Sequence, residues 1–319
     1  MKTIGVLSSG GDAPGMNAAI RAVVRYGIYL GMRVYGIERG FAGLLDGCIY
    51  EMNMGSVSDI VQRGGTILKT ARCDEFRKES GQWKAIAQLK KNKIEGLIVI
   101  GGDGSLKGAM DLSELGFPSV GIPGTIDNDL AYTDYTLGFD TACNTALDAI
   151  NKLRDTMTSH ERVAIVQVMG RHCGDLALYC GIGGGAEIII VPEIPVDLKE
   201  VCQKLLAANV RGKHSEIIVL AEGAGNSAEI AATIEKRTGI PVRTTVLGYI
   251  QRGGNPSMQD RFLGTNMGAY AVQLLEKNIG NRIIGIKNNR FYDIDIVEGL
   301  ALKKEFNKEL FETANIVAK

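Results

Sequence analysis

Several stretches of this 319-residue chain combine glycine with residues able to do phosphate or acid–base chemistry. Ser8-Ser9-Gly10-Gly11-Asp12-Ala13-Pro14-Gly15-Met16-Asn17 follows the apolar run Ile4–Leu7 and leads into a helical pattern. Glycines in such a turn let backbone N–H groups approach a phosphate at a helix N-terminus, although the same residues also suit an ordinary tight turn. The pattern is neither G-x-G-x-x-G nor a P-loop, since the one Gly-Lys pair, Gly212-Lys213, is followed by His214. Ile100-Gly101-Gly102-Asp103-Gly104-Ser105-Leu106-Lys107-Gly108 repeats the plan with a carboxylate among the glycines. An exposed Asp beside free amides suits Mg²⁺ carried by a nucleoside triphosphate, the amides taking phosphate oxygens and Asp103 the metal. The alternative is Asp103 as a helix N-cap. Pro123-Gly124-Thr125-Ile126-Asp127-Asn128-Asp129 would set two carboxylates on one side if the segment is extended. Like charges so placed resist ionising together, which suits a general base with a helper; Asp and Asn are also common in surface turns.

Arg72, Arg162, Arg171, Arg243 and Arg252 each lie beside glycine, a strand end or a polar turn. Isolated arginines are usually solvated charges. Met169-Gly170-Arg171 and Gln251-Arg252-Gly253-Gly254, however, put guanidinium groups at glycine-rich strand ends, where bidentate contact with phosphate is natural. Glu222 has the chemistry to accept hydroxyl hydrogen bonds from a sugar.

These turns need strands and helices to hold them, and the sequence alternates short apolar runs with longer stretches of helical period. Strands are expected at Ile4–Leu7, Val34–Ile37, Gly96–Ile100 and Ser119–Ile122, with helices over Asn17–Leu30 and from near Ser105. A helical pattern over Thr141–Met157 leads toward a second domain. The alternation then restarts with strands at Val163–Val168, Glu187–Val191, Ile217–Leu220 and Val242–Leu247, and helices near 175–180, 197–209 and 227–238. A helix to about Lys277 and a strand at Ile283–Ile286 follow, and their pattern leaves open whether they return to the first domain. Such alternation is the mark of βαβ units, so the fold class is α/β with mostly parallel sheets.

Thirty-six Lys and Arg balance thirty-six Asp and Glu, which excludes the basic field of a non-specific nucleic-acid binder. No stretch approaches the ~20 apolar residues of a membrane-spanning helix. Six cysteines without a Cys-x-x-Cys pair, and only three histidines, suggest reduced thiols rather than a disulfide framework or zinc cage. The N-terminal segment shows no charged-then-apolar leader, so the expectation is a cytoplasmic protein. The 41 glycines are roughly twice the usual share, many in doublets.

Together, Gly10–Asn17, Gly101–Ser105, Pro123–Asp129, Met169–Arg171 and Gln251–Gly254 resemble the bacterial ATP-dependent 6-phosphofructokinase family, in family order and over essentially the full length. The resemblance implies two Rossmann-like three-layer domains with the active site in the cleft between them. It assigns residues 1–138 plus 251–302 to a larger ATP-binding domain, and 139–250 plus 303–319 to a smaller fructose-6-phosphate domain. It implies transfer of the ATP γ-phosphoryl group to the 1-hydroxyl of fructose 6-phosphate, with Asp127 as base and Thr125 and Arg171 stabilising the moving group. Gly11, Arg72, Cys73, Gly102, Asp103, Gly104, Ser105 and Gly108 would hold ATP, with Asp103 at Mg²⁺. Asp129, Met169, Gly170 and Glu222 would contact the sugar, and Arg162, Arg243, Tyr249 and Arg252 its 6-phosphate. Arg162 and Arg243 come from a neighbouring subunit in the family, which implies a homotetramer.

An effector site, activated by ADP and inhibited by phosphoenolpyruvate, would use Arg21, Arg25, Asp59, Arg154, Gly185, Glu187, Arg211 and Lys213. Met54, where relatives often have Arg, and Lys213-His214-Ser215, in place of Lys-Lys-His, imply a weakened or altered effector response. Tyr249 replaces a common His, and Cys73 a common aromatic. Gly104 and Gly124 stand where pyrophosphate-using relatives carry Asp and Lys, so ATP is the expected donor. A pyrophosphate-dependent enzyme and a non-catalytic sugar-phosphate sensor are the alternatives.

Overall fold

The computed structural model describes residues 1–318. In chain order its elements are β1 (Thr3–Ser8), α1 (Met16–Tyr29), β2 (Arg33–Ile37), α2 (Gly40–Asp46), β3 (Ile49–Met52), α3 (Glu79–Lys91), β4 (Gly96–Gly101), α4 (Asp103–Glu114) and β5 (Ser119–Pro123). Then follow α5 (Phe139–His160), β6 (Val163–Val168), α6 (Asp175–Gly183), β7 (Ile188–Ile190), α7 (Leu198–Val210), β8 (Glu216–Ala221), α8 (Ser227–Thr238) and β9 (Val242–Val246). The chain ends with α9 (Met258–Glu276), β10 (Arg282–Lys287), β11 (Arg290–Asp295), α10 (Ile296–Ala301) and α11 (Lys308–Val317).

Two compact units result: residues 1–126, 130–141 and 252–304 form the first, and 127–129, 142–251 and 305–319 the second. The first is built on a seven-stranded sheet of order β11-β10-β5-β4-β1-β2-β3, in which only the outer β10–β11 and β2–β3 pairs are antiparallel. β1, β4 and β5 are buried along their whole length because helices cover both faces, hence their near-continuous apolar sequences. Leu7, Leu97 and Val99 point into one core with α2, α3 and α4, built around Phe41, Leu44, Leu89, Leu106 and Leu112. On α9, Gly264 and Gly268 lie one turn apart, and a Cβ on either would come within 2.7 Å of an α1-segment carbonyl, Gly15 O or Ala19 O. These two glycines therefore let α1 and α9 approach closely. The segment whose return was open does return: β10 pairs in parallel with β5, Ile283 opposite Gly121.

The second unit has a four-stranded parallel sheet of order β7-β8-β6-β9. Val163, Ile165, Ile218 and Leu220 pack on Leu205 of α7 and Ile230 and Ile234 of α8. Asp127–Asp129, which the sequence reading assigns to the ATP-binding domain, packs with this unit instead. Asn128, at φ 51°, donates through Nδ2 to Asp175 Oδ2 at 3.1 Å, and the Cys173 thiol reaches its carbonyl at 3.9 Å. No helix among the described residues is long and apolar enough to cross a membrane, and no disulfide joins the cysteines.

Candidate active site

In the first unit the glycine turns stand side by side because their strands do. β1, β4 and β5 are adjacent and parallel, with Ser8 opposite Ile100 and Gly101 opposite Pro123, so all three turns leave the carboxyl edge of one sheet, where open α/β sheets bind ligands. Ser9 N donates to Ile100 O at 2.9 Å, and Gly124 N to Gly101 O at 2.9 Å. A Cβ on Gly101 would lie 2.5 Å from Ser9 O, so only glycine permits this approach of the first two turns. Gly10, at φ 84°, is exposed, and the Arg252 guanidinium lies over Gly11, 3.4 Å from where a Cβ would be. Arg252, expected at the sugar 6-phosphate, thus belongs to the first unit and stands beside the first glycine turn.

Asp103 is the first residue of α4, and Gly102 occupies the cap position without a side chain to cap with. The N-cap alternative for Asp103 is therefore set aside. One carboxylate oxygen, Oδ2, accepts from Lys107 Nζ at 2.7 Å across one helical turn, and the other has no partner among the described residues. Ser105 is buried, with its hydroxyl 3.0 Å from the Cβ position of Gly10. Around Gly104 that position is open, whereas at Gly124 it meets Met16 Cε at 2.8 Å, so the two glycines differ in the room they leave. Gly108 is buried against the stacked pair Phe41–Phe76, whose ring centroids are 4.0 Å apart, and Cys73 packs on the same cluster. Arg72, next to it, is exposed. Thr125 accepts through its carbonyl from Thr136 Oγ1 at 2.6 Å.

Asn17 ties this edge to the loop that follows β3, a role the sequence reading missed. It is 1% exposed, donates through Nδ2 to Arg63 O (3.0 Å) and Gly64 O (3.2 Å), and accepts from Ile67 N at 2.8 Å. Asp260 was missed as well. Fully buried, it accepts from Gly138 N at 2.8 Å, Thr141 N at 2.9 Å and the Thr141 hydroxyl, and so holds the start of α5. Burial pushes its carboxyl up to about 6 despite those hydrogen bonds. Ser257, three residues earlier, caps α9 by accepting from Asp260 N, a spacing that could have drawn attention to it.

The second unit brings together Met169, Gly170, Arg171, Glu222 and Tyr249, again at a carboxyl edge. β6 and β8 run in register to Val168 and Ala221. Gly223 N donates to Gly170 O at 3.2 Å, and a Cβ on Gly223 would sit 1.9 Å from Arg171 O. Gly170, at φ 117°, is likewise closed to other residues. Gln251, wholly buried, accepts from Met169 N at 3.3 Å and donates to Gly248 O, anchoring the turn that carries the exposed Tyr249. Arg162 and Arg243 are not in this group. They lie at the other end of the sheet, where Val163 N meets Pro241 O and Arg243 is opposite Ala164. At ~3.3 Å per residue, the length of β6 puts Arg162 roughly 20 Å from Met169.

The expected effector residues fall in two sets. Arg21 and Arg25 share a face of α1 in the first unit, near the turn that holds exposed Met54 and Asp59. In the second, Arg154, Gly185, Glu187 and Lys213 converge. Arg154 donates to Gly184 O (2.8 Å) and Gly185 O (2.7 Å) and contacts Glu187 Oε1, which Lys213 Nζ also approaches at 2.6 Å. The other Glu187 oxygen accepts from Ile217 N at 2.6 Å.

Comparison with known proteins follows the same outline. The phosphofructokinase family model matches residues 3–275. Over 318 residues, spanning the whole of both chains, this chain is 59% identical to the ATP-dependent 6-phosphofructokinase of Alkaliphilus metalliredigens. It is 59% identical to the enzyme of the same name from Clostridioides difficile, again over both full lengths. Among solved structures, phosphofructokinase from Saccharomyces cerevisiae superposes with a TM-score of 0.89 at 34% identity, matching all of this chain and 48% of the yeast chain.

Proposed function

The chain belongs to the phosphofructokinase family, and from that premise we propose that it phosphorylates the 1-hydroxyl of fructose 6-phosphate with ATP. The observation that carries the reading is the 59% identity over full length to ATP-dependent 6-phosphofructokinases, joined to the set of phosphate-type turns on β1, β4 and β5. Phosphoryl transfer asks a protein mainly to position two reactants and neutralise charge. Gly11, the Gly102–Ser105 turn, Gly108, Arg72 and Cys73 hold the nucleotide, with backbone amides toward its phosphates. Asp129, Met169, Gly170 and Glu222 hold the sugar, and Arg162, Arg243, Tyr249 and Arg252 its 6-phosphate. Asp127 takes the proton from the 1-hydroxyl, so that the oxygen attacks as the proton leaves. Thr125, two residues earlier in the chain, and Arg171 supply a hydroxyl and a guanidinium to the charge on the moving group.

The residues present fit a Mg²⁺ delivered with the triphosphate. Asp103 offers one carboxylate oxygen without a protein partner, and no group of three or more potential ligands forms a protein-only cage among the described residues. Bound Mg²⁺ would neutralise phosphate charge; Asp103 would orient it, directly or through water. Open space around Gly104 supports ATP over pyrophosphate.

The remaining parts of the reading are a homotetrameric assembly, a cytoplasmic location and a second anion site for ADP and phosphoenolpyruvate. The first is supported by the position of Arg162 and Arg243 away from Arg171 in their own chain, which suits service to a neighbouring subunit. The Arg154–Glu187–Lys213 cluster supports the anion site, with a response altered by Met54 and Lys213-His214-Ser215.

The test is coupled-assay turnover of fructose 6-phosphate with Mg·ATP and, separately, Mg·pyrophosphate, with and without ADP. Turnover with ATP alone is expected. Turnover with pyrophosphate would overturn the donor assignment, silence with both donors would leave a sugar-phosphate sensor, and an ordinary ADP activation curve would refute the altered effector response.

A further inference from the structure

Glu216 has no part in the chemistry above, yet its side chain is among the least comfortable in the second unit. It opens β8 and is 6% exposed, and its carboxylate makes no hydrogen bond or ion pair among the described residues. It lines a cavity of about 220 Å³ at the amino edge of the sheet, with Lys213, His214, Asn209 and Glu161 also on the wall. The like charge that acts on it is the carboxylate of Glu187, which spends one oxygen on Arg154 and Lys213 and the other on the amide of Ile217, the residue after Glu216. The cations of this cluster thus face two carboxylates, Glu187, engaged at both oxygens, and Glu216, which makes neither an ion pair nor a hydrogen bond.

We infer that Glu216 makes anion binding at the Arg154–Glu187–Lys213 cluster proton-linked, so that the site takes a phosphorylated anion more tightly when Glu216 is neutral. This rests on the reading of that cluster as a second anion site. An ionised Glu216 subtracts one charge from the field of Lys213 and Arg211; a protonated one does not. Burial, and then the Glu187 carboxylate, push the Glu216 carboxyl up to about 7, with Lys213 and Arg211 opposing them. The proton therefore changes hands near neutrality.

The charged and titratable groups around Glu216 are Glu187 before β7, Arg211, Lys213 and His214 in the α7–β8 connection, and Glu161 after α5; the α8–β9 connection contributes only Gly239, Ile240 and Pro241. The sign follows from linkage. A bound anion raises the Glu216 carboxyl further, so binding takes up a proton and strengthens as pH falls. If that further rise is ~1 pH unit, affinity is about fivefold greater at pH 6 than at pH 8.

The experiment measures phosphoenolpyruvate affinity of the full-length protein by calorimetry at pH 6, 7 and 8, for wild type, Glu216→Gln, Glu216→Ala and His214→Gln. Because the titration of the ligand's own phosphate is common to all four, the ratio of wild-type to variant affinity isolates the side chain. The expected result is a wild-type to Glu216→Gln ratio that rises about fivefold from pH 8 to pH 6. Glu216→Ala should repeat it if the amide disturbs folding, and His214→Gln should keep the wild-type pH profile. A ratio constant with pH overturns the inference while leaving the anion site standing, and so does a His214→Gln profile that matches Glu216→Gln. Absence of binding in all four proteins at every pH overturns the anion site and the inference together.

Discussion

Replacing Asn17 by Ala tests whether the first glycine turn depends on the loop that follows β3. The side chain is 1% exposed and makes hydrogen bonds to Arg63 O, Gly64 O and Ile67 N at 3.0, 3.2 and 2.8 Å. Alanine removes all three and leaves two carbonyls and an N–H facing a small void. Each lost bond is worth about 1 kcal/mol net, and a group that stays dry costs about 1–3 kcal/mol. Gly64 and Ile67 are half-buried and Arg63 is exposed, so water recovers part of that loss, and the sum is about 2–4 kcal/mol. At ~2–4 °C per kcal/mol, the midpoint of thermal unfolding should fall by about 4–16 °C. The loop leads on to Arg72 and Cys73, so the KM for ATP should rise several-fold while kcat changes less. Scanning calorimetry and initial rates at saturating fructose 6-phosphate read both effects. A midpoint within 1 °C of wild type together with an unchanged KM for ATP would refute the claim that Asn17 holds this edge together.

Asp127→Ser should lower kcat at least ~10²-fold with modest loss of substrate binding, the low end for removal of a general base; near-wild-type turnover would remove Asp127 from the mechanism. Gly104→Asp should leave the unfolding midpoint almost unchanged, because its Cβ enters open space, but cut ATP-supported turnover at least ~10-fold by setting a like charge near the phosphates; normal ATP kinetics would show that Gly104 does not face the donor. Arg243→Ala should raise the KM for fructose 6-phosphate ~10-fold or more, the loss of a charge-assisted hydrogen bond. Refolded mixtures of Arg243→Ala and Asp127→Ser subunits should regain turnover, and no regain would contradict service to a neighbouring subunit. Asp260 is raised from 3.8 to about 6, so the unfolded chain ionises first and wild type loses stability relative to Asp260→Asn as pH rises from about 4 to 6, by roughly 3 kcal/mol. Denaturant titrations at both ends of that window that differ equally would dispose of this account.

Much of the candidate site was legible in the sequence because its residues are grouped in local turns. A glycine turn after a buried strand demands specific residues within a few positions of one another, and Gly10–Asn17, Gly101–Ser105 and Met169–Arg171 carry that demand in their own order. Two elements, Val163–Val168 and Ser227–Thr238, have the same bounds or nearly so in pattern and in structure, because apolar periodicity reports burial directly. Asn17 lies within a legible motif, but its task is invisible there because its partners lie 46 to 50 residues away. Glu216 reads as an ordinary charged residue until the cavity and Glu187 are placed around it.

By itself, then, the sequence determined the α/β alternation, the positions of the glycine turns and the identity of the charged and titratable residues within them. Tertiary structure alone decided which strands are neighbours. Strand pairing between β5 and β10 joins residues some 160 apart, and buried parallel strands look alike in sequence because each needs only apolar side chains on both faces. The same non-local packing drew Asp127–Asp129 onto Asp175 and Cys173 in the second unit, and set Arg162 and Arg243 at the opposite end of β6 from Arg171. A side chain's type follows from its codon, but its neighbours follow from contacts that close only when the whole sheet has formed.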